Sequence, residues 1–167
     1  MTIDSFVLRY NGTTVGDGQC VALIKAYERD VYGFTEYYGL TYAYEWYTQY
    51  FNNQGLQNHY DIYSVGDGLP SKGDIIVWSN ATGGGAGHLE IVLSDISPTG
   101  FTSFGQNWIP NTCAITNHTW NHVLGYLKPK GSPGPEPPGP GPTPGESGKG
   151  KNYKRWLYSN KTKYRLT

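Results

Sequence analysis

"VGDGQCVALIKAYERDV", Val15 to Val31, decides how the chain is read. Two glycines and an aspartate make a turn, and an apolar-periodic run follows. Cys20, Leu23, Ile24, Tyr27 and Val31 stand at i, i+3, i+4, i+7 and i+11, one face of a helix. Lys25, Glu28 and Arg29 are expected to turn outward. Cys20 thus falls where a glycine-rich loop becomes a helix. Unpaired N–H groups and the helix dipole give that position a positive field, which favours thiolate over thiol and offers donors to an oxyanion. The position also suits an ordinary buried thiol, a common fate for cysteine.

The chain has 167 residues, enough for one domain and an appendage. Aromatics make up 15%, carried largely by 15 tyrosines, which suits a core with an aromatic-lined surface. Two cysteines do not make a disulfide framework. The start, "MTIDSFVLRYNG", lacks a cationic segment followed by an apolar run, so no secretory signal is read. No stretch approaches the ~18 apolar residues of a membrane helix. Synthesis in a host cytoplasm, without a signal peptide, is the expectation.

A net charge of zero hides an asymmetry. Residues 1–130 hold 11 of the 13 acids and 6 of the 13 bases. Lys149, Lys151, Lys154, Arg155, Lys161, Lys163 and Arg165 crowd the tail with no acid among them. Between lies "GSPGPEPPGPGPTPGESG", Gly131 to Gly148. Proline fixes φ and removes donors, so this is read as a spacer. The expected organisation is a domain over 1–130, a Pro/Gly-rich linker over 131–148 and a basic aromatic tail over 149–167. The alternation in "KNYKRWLYSNKTKYRLT" suits a hairpin too short to fold alone.

Within the domain, "TEYYGLTYAYEWYTQYF" (Thr35–Phe51) reads as a second helical region. Strand patterns follow at Asp74–Trp78, Gly87–Asp95, Gly100–Trp108 and His122–Lys128. Closely spaced strands after helices predict an α+β domain, the helices packed on one face of an antiparallel sheet.

A thiol nucleophile needs a base and something to orient the base. Of four histidines, His88 has the best context, opening a strand directly after "ATGGGAG". His59, His118 and His122 are expected in loops or at the surface. Asn107 in "GQNW" is the candidate to orient the imidazole, with Glu90, two residues after His88, as support. The Gln19 side chain offers a further oxyanion donor. Cys113 lacks a helix start and is expected to be a packed or partly exposed thiol.

"DGQCVALIKAY", "LPSKGDIIVW", "GAGHLEIVLSD" and "FTSFGQNW", in that order, resemble the sequence blocks of CHAP domains, the cysteine, histidine-dependent amidohydrolases/peptidases. The resemblance spans Val15 to Lys128. It implies a papain-like α+β fold and hydrolysis of peptidoglycan amide bonds, as in bacteriophage endolysins and tail-associated lysins. By match, Cys20 takes the nucleophile position, His88 the base and Asn107 the orienting position. There are two departures. Many phage members have "EQNW" where this chain has Gly105. Some bind calcium through an acidic loop before the cysteine, but here Asp17 is the loop's one carboxylate, and calcium wants six to eight oxygens. No metal and no cofactor are expected.

The implied partner is bacterial peptidoglycan. The tail suits anionic wall polymers or phage virion proteins, and nucleic acid is not an expected partner. The implied place of action is the cell wall or the virion. The rival expectation is a catalytically inactive CHAP-fold attachment protein, to which the missing glutamate lends weight.

Overall fold

A computed structural model describes residues 1–131 and Pro133, all within a unit spanning Met1–Glu136. Most of the Pro/Gly-rich stretch, and the whole basic tail with its expected hairpin, lie outside the described residues.

Helix α1 (Ile3–Tyr10) was not legible as a helix in the sequence. Its start is built locally. Thr2 accepts from the Ser5 N–H, Asp4 lies in the first turn and Arg9 in the last, each matched to the helix dipole. Phe6 is fully buried against Tyr10, Tyr27 and Phe104. Helix α2 (Cys20–Tyr27) runs into a π-helical turn, Glu28–Tyr32. The expected face of Cys20, Leu23, Ile24, Tyr27 and Val31 is buried. Each such aliphatic or aromatic side chain contributes about 1.5–3 kcal/mol on leaving water.

Glu28 departs from expectation: it is 2% exposed. It follows Ile24 by one turn and so shares the apolar face. Burial is tolerated because its carboxylate accepts from the hydroxyls of Tyr38 and Tyr60, both at 2.6 Å, and pairs with Lys25 at 3.1 Å.

The aromatic region 35–51 is mostly irregular rather than helical. Within it only α3 (Glu45–Thr48) and a 3-10 turn (Tyr50–Asn52) form. Aromatic residues and Gly39 hold a helix poorly, and here Tyr38, Trp46 and Tyr50 pack into the core while Tyr37, Tyr42 and Phe51 stay exposed. Helix α4 (Gln54–His59) leads into the first strand.

Six strands follow: β1 (Tyr60–Ser64), β2 (Ile75–Trp78), β3 (His88–Ser97), β4 (Gly100–Ile109), β5 (Thr112–His118) and β6 (Val123–Pro129). They form one antiparallel sheet in the order β1-β6-β2-β3-β4-β5. The α+β layout is as expected, with β1 and β5 added. Ile75, Val77, Leu89, Ile91, Phe104 and Leu127 join the helices in the main core. The alternate residues Ile76, Trp78, Val92, Phe101 and Tyr126 make a second cluster. All four residues of β2 are buried, so it is covered on both faces. Among the described residues no helix is long and apolar enough to cross a membrane.

Candidate active site

Cys20 is the first residue of α2, with Gln19 as the N-cap in extended geometry. Among the described residues no side chain caps this helix. The Ala22 N–H donates to the Gln19 carbonyl at 3.1 Å, and those of Cys20 and Val21 take no side-chain cap. The loop that carries them is strapped to β4 by Gln106, which is fully buried. The Gln106 amide donates to the carbonyls of Val15 (2.9 Å) and Gln19 (2.8 Å). It accepts from the Val15 N–H (2.6 Å) and the Cys113 thiol (3.0 Å). All four hydrogen-bonding positions of one amide are used. Cys113 itself is 0% exposed, and burial pushes its thiol up.

His88 opens β3. Gly87 before it has φ +74, and any Cβ there would crowd the Trp78 carbonyl and the Tyr44 backbone. The strand can therefore enter only through glycine. The His88 ring interacts with the Cys20 thiol, and that interaction raises its pKa. Its Nε2 is 3.0 Å from Glu90 Oε1, which leaves Nδ1 uncommitted. Burial alone would depress the imidazole. The bonds to Cys20 and Glu90 overcome it and raise the pKa to about 9.

Glu90 is fully buried and stands directly opposite Gly105 in the β3–β4 register. A Cβ on residue 105 would overlap the Glu90 side chain. The glycine that looks like a missing carboxylate is therefore the room for a carboxylate from the neighbouring strand. Glu90 Oε2 takes bonds from Ser103 (2.6 Å), Thr116 (3.1 Å) and His118 (3.1 Å). Burial pushes the carboxyl up, and the bonds from His118 and His88 more than reverse this, to about 2.

Asn107 is not brought to His88. Its Nδ2 donates to Gln19 Oε1 at 3.0 Å, and its Oδ1 accepts from the Asn111 N–H at 3.1 Å. The expectation failed because strict alternation fails. The β4–β5 register shifts between Gln106 and Ile109, and Asn107 adopts φ +73, a conformation asparagine tolerates. The bulge aims Asn107 at Gln19 and Trp108 at His88, whose ring centroids are 5.3 Å apart. Glu90 thus stands at His88 where Asn107 was expected, and Asn107 stands at Gln19 instead.

His118, Ser103, Thr116 and Gln106 were not read as site residues. The signal for His118 was hidden because β5 inverts the usual pattern. Its Ile115 is exposed while the His118 imidazole is 4% exposed. Among the described residues no group of three or more His, Cys, Asp or Glu side chains is arranged to hold a metal ion.

The family model for the CHAP domain matches residues 9–107. A stretch of 40 residues is 62% identical to the probable autolysin PH of Staphylococcus aureus, covering 24% of this chain and 8% of that protein. The solved structure of Ly7917 is similar with a TM-score of 0.57 at 19% identity, over 77% of this chain and 63% of that one. The endolysin LysIME-EF1 is similar with a TM-score of 0.56 at 22% identity, over 75% of this chain and 61% of that one. At these identities the structural likeness is one of fold. The chain spans less than two thirds of the length of each of these relatives.

Proposed function

This chain belongs to the CHAP-domain family, and from that footing we propose that it hydrolyses amide bonds in the peptide part of bacterial peptidoglycan. The supporting observation is a buried imidazole that interacts with the Cys20 thiol and whose Nε2 is held by a carboxylate. His88 takes the thiol proton, and the Cys20 sulfur attacks the amide carbon. Developing negative charge on oxygen meets the N–H groups at the start of α2. Gln19 adds its Nε2–H, because Asn107 already occupies its Oε1. His88 passes the proton to the leaving amine, then takes one from the water that frees the acyl group. Glu90 holds the ring, and Asn107 holds Gln19.

The rival, an inactive attachment protein, rested on the carboxylate missing at Gly105. Glu90 fills that space, which favours hydrolysis. The setting is a phage endolysin or virion-associated lysin, with 131–148 as linker and 149–167 as anchor.

The wild-type protein should clear a zymogram of Gram-positive cell walls. Cys20→Ser should not, while keeping its circular dichroism spectrum, because hydroxyl is far the weaker nucleophile. Cys113→Ser should clear like wild type. Clearing by Cys20→Ser, or none by wild type on any wall tested, overturns the proposal. Mass spectrometry of the released muropeptides identifies the bond. A new amino terminus at the first stem alanine marks an amidase, and one further along marks an endopeptidase.

A further inference from the structure

We propose that His118 is a positioning residue for this hydrolysis, acting through Glu90 on the ring of His88; the inference rests on the functional reading above. The two oxygens of Glu90 are used unequally. Oε1 meets His88 alone, whereas Oε2 is shared by Ser103, Thr116 and His118. A carboxylate turns about its terminal bond. Three donors converging on one oxygen stop that rotation and so fix the direction in which the other points.

The Thr116 hydroxyl donates to Glu90, so its oxygen is left to accept from His118 Nε2 at 2.7 Å. Carboxylate, hydroxyl and imidazole close a triangle. His118 is also the donor braced most heavily from outside. Its ring lies 4.4 Å from Trp108, 5.1 Å from Trp78 and 5.7 Å from Phe101. The same two indoles flank His88, at 5.3 Å and 5.7 Å. One carboxylate therefore stands between two imidazoles, both set against the same indole pair. The imidazole on the Cys20 side is the one in reach of substrate. Removing the other frees Glu90 to swing, and the His88 ring loses its fixed partner. The loss falls on turnover rather than on substrate affinity.

The test is kcat and KM on a soluble muropeptide, with Cys20→Ser as the dead control. His118→Ala should lower kcat on the order of tenfold or more with KM little changed, the scale of misplacing a catalytic group without removing it. His118→Gln keeps an N–H donor within reach of Oε2 and should recover most of that loss. In a Glu90→Gln background, His118→Ala should cost nothing further, since the residue through which it acts is already altered. A wild-type kcat in His118→Ala, no recovery in His118→Gln, or full additivity with Glu90→Gln overturns the inference. The His88 Nε2 proton resonance supplies a readout free of activity. It should be shifted downfield by Glu90, move in His118→Ala and hold in His118→Gln. An immobile resonance overturns the inference even if His118→Ala folds poorly. Absence of hydrolysis by wild type overturns the functional reading, and the resonance still decides the His118 link.

Discussion

Glu28 and Glu90 are both buried carboxylates, and both are held by several donors, yet they are built for different ends. Glu28 closes the run of α2 that Cys20 opens, so about 12 Å of helix separates it from the thiol. Its partners are two tyrosine hydroxyls and Lys25. Desolvation and the neighbouring Glu28 push the Tyr38 phenol far above its ordinary value, so it stays a donor throughout the working range. Glu90 is held by two imidazoles and two hydroxyls. Imidazole gains and loses a proton near neutrality. Burying a carboxylate is costly in either place, and either cluster offsets the cost. Only the second connects the carboxylate to imidazoles.

The largest effect should come from the pair itself. Glu90→Gln should lower kcat about 10²-fold, the scale of a positioned acid–base group. Glu28→Gln should leave the turnover of folded protein near wild type. Both are read on the same soluble muropeptide, and equal losses would erase the distinction. A sharper version moves the carboxylate. Gly105→Ala should cost most of the activity by displacing Glu90. The double variant Gly105→Glu with Glu90→Ala should recover much of it, since the new side chain reaches the same space from the facing strand. No recovery would mean that the space alone does not suffice.

Stability, unlike turnover, should register both carboxylates. Glu28→Gln should cost about 2 kcal/mol in urea unfolding, the scale of hydrogen bonds to a charged group. The pH response then separates the clusters further. The folded pKa of His88 is raised, so its contribution is fully present below about 6.5 and is lost as pH rises through about 9. The Glu90 pKa is depressed from 4.5, so its contribution is present above that value and is lost as pH falls through about 2. Melting temperature should fall from pH 6.5 to 9.5 in wild type. The fall should be shallower in Glu90→Gln and unchanged in Glu28→Gln. A wild-type slope in Glu90→Gln would detach His88 from Glu90. Among the site residues the smallest loss belongs to Asn107→Ala, about fivefold in kcat, because it only steers the Gln19 amide. A loss exceeding that of Glu90→Gln would return the orienting role to the asparagine.

That ranking reverses the one suggested by sequence, and the reason is local. Cys20 and His88 were legible because each sits at the start of a regular element, where spacing fixes position. The face of α2 was legible for the same reason. Glu90 was visible as a neighbour two residues from His88, but its role depended on which residue lies opposite, and strand register is a tertiary fact. Asn107 was misplaced because a bulge breaks the period on which the reading relied. His118 was hidden because β5 turns polar residues inward around a buried charge, which mimics a loop. The aromatic stretch 35–51 misled in the opposite direction. Its dense apolar content suggested a helix, while its rings pack from irregular backbone.

Gln106 carries a mechanical consequence. With every hydrogen-bonding position of its amide spent on the Val15–Gln19 loop and on Cys113, the loop that mounts the thiol has no cheap way to open apart from β4. Fluctuations that expose the loop must break several bonds at once, so its backbone amides should exchange with solvent on the schedule of the sheet rather than of a surface turn. The proposed nucleophile is thus mounted on a loop by sequence and on the sheet by its hydrogen bonds.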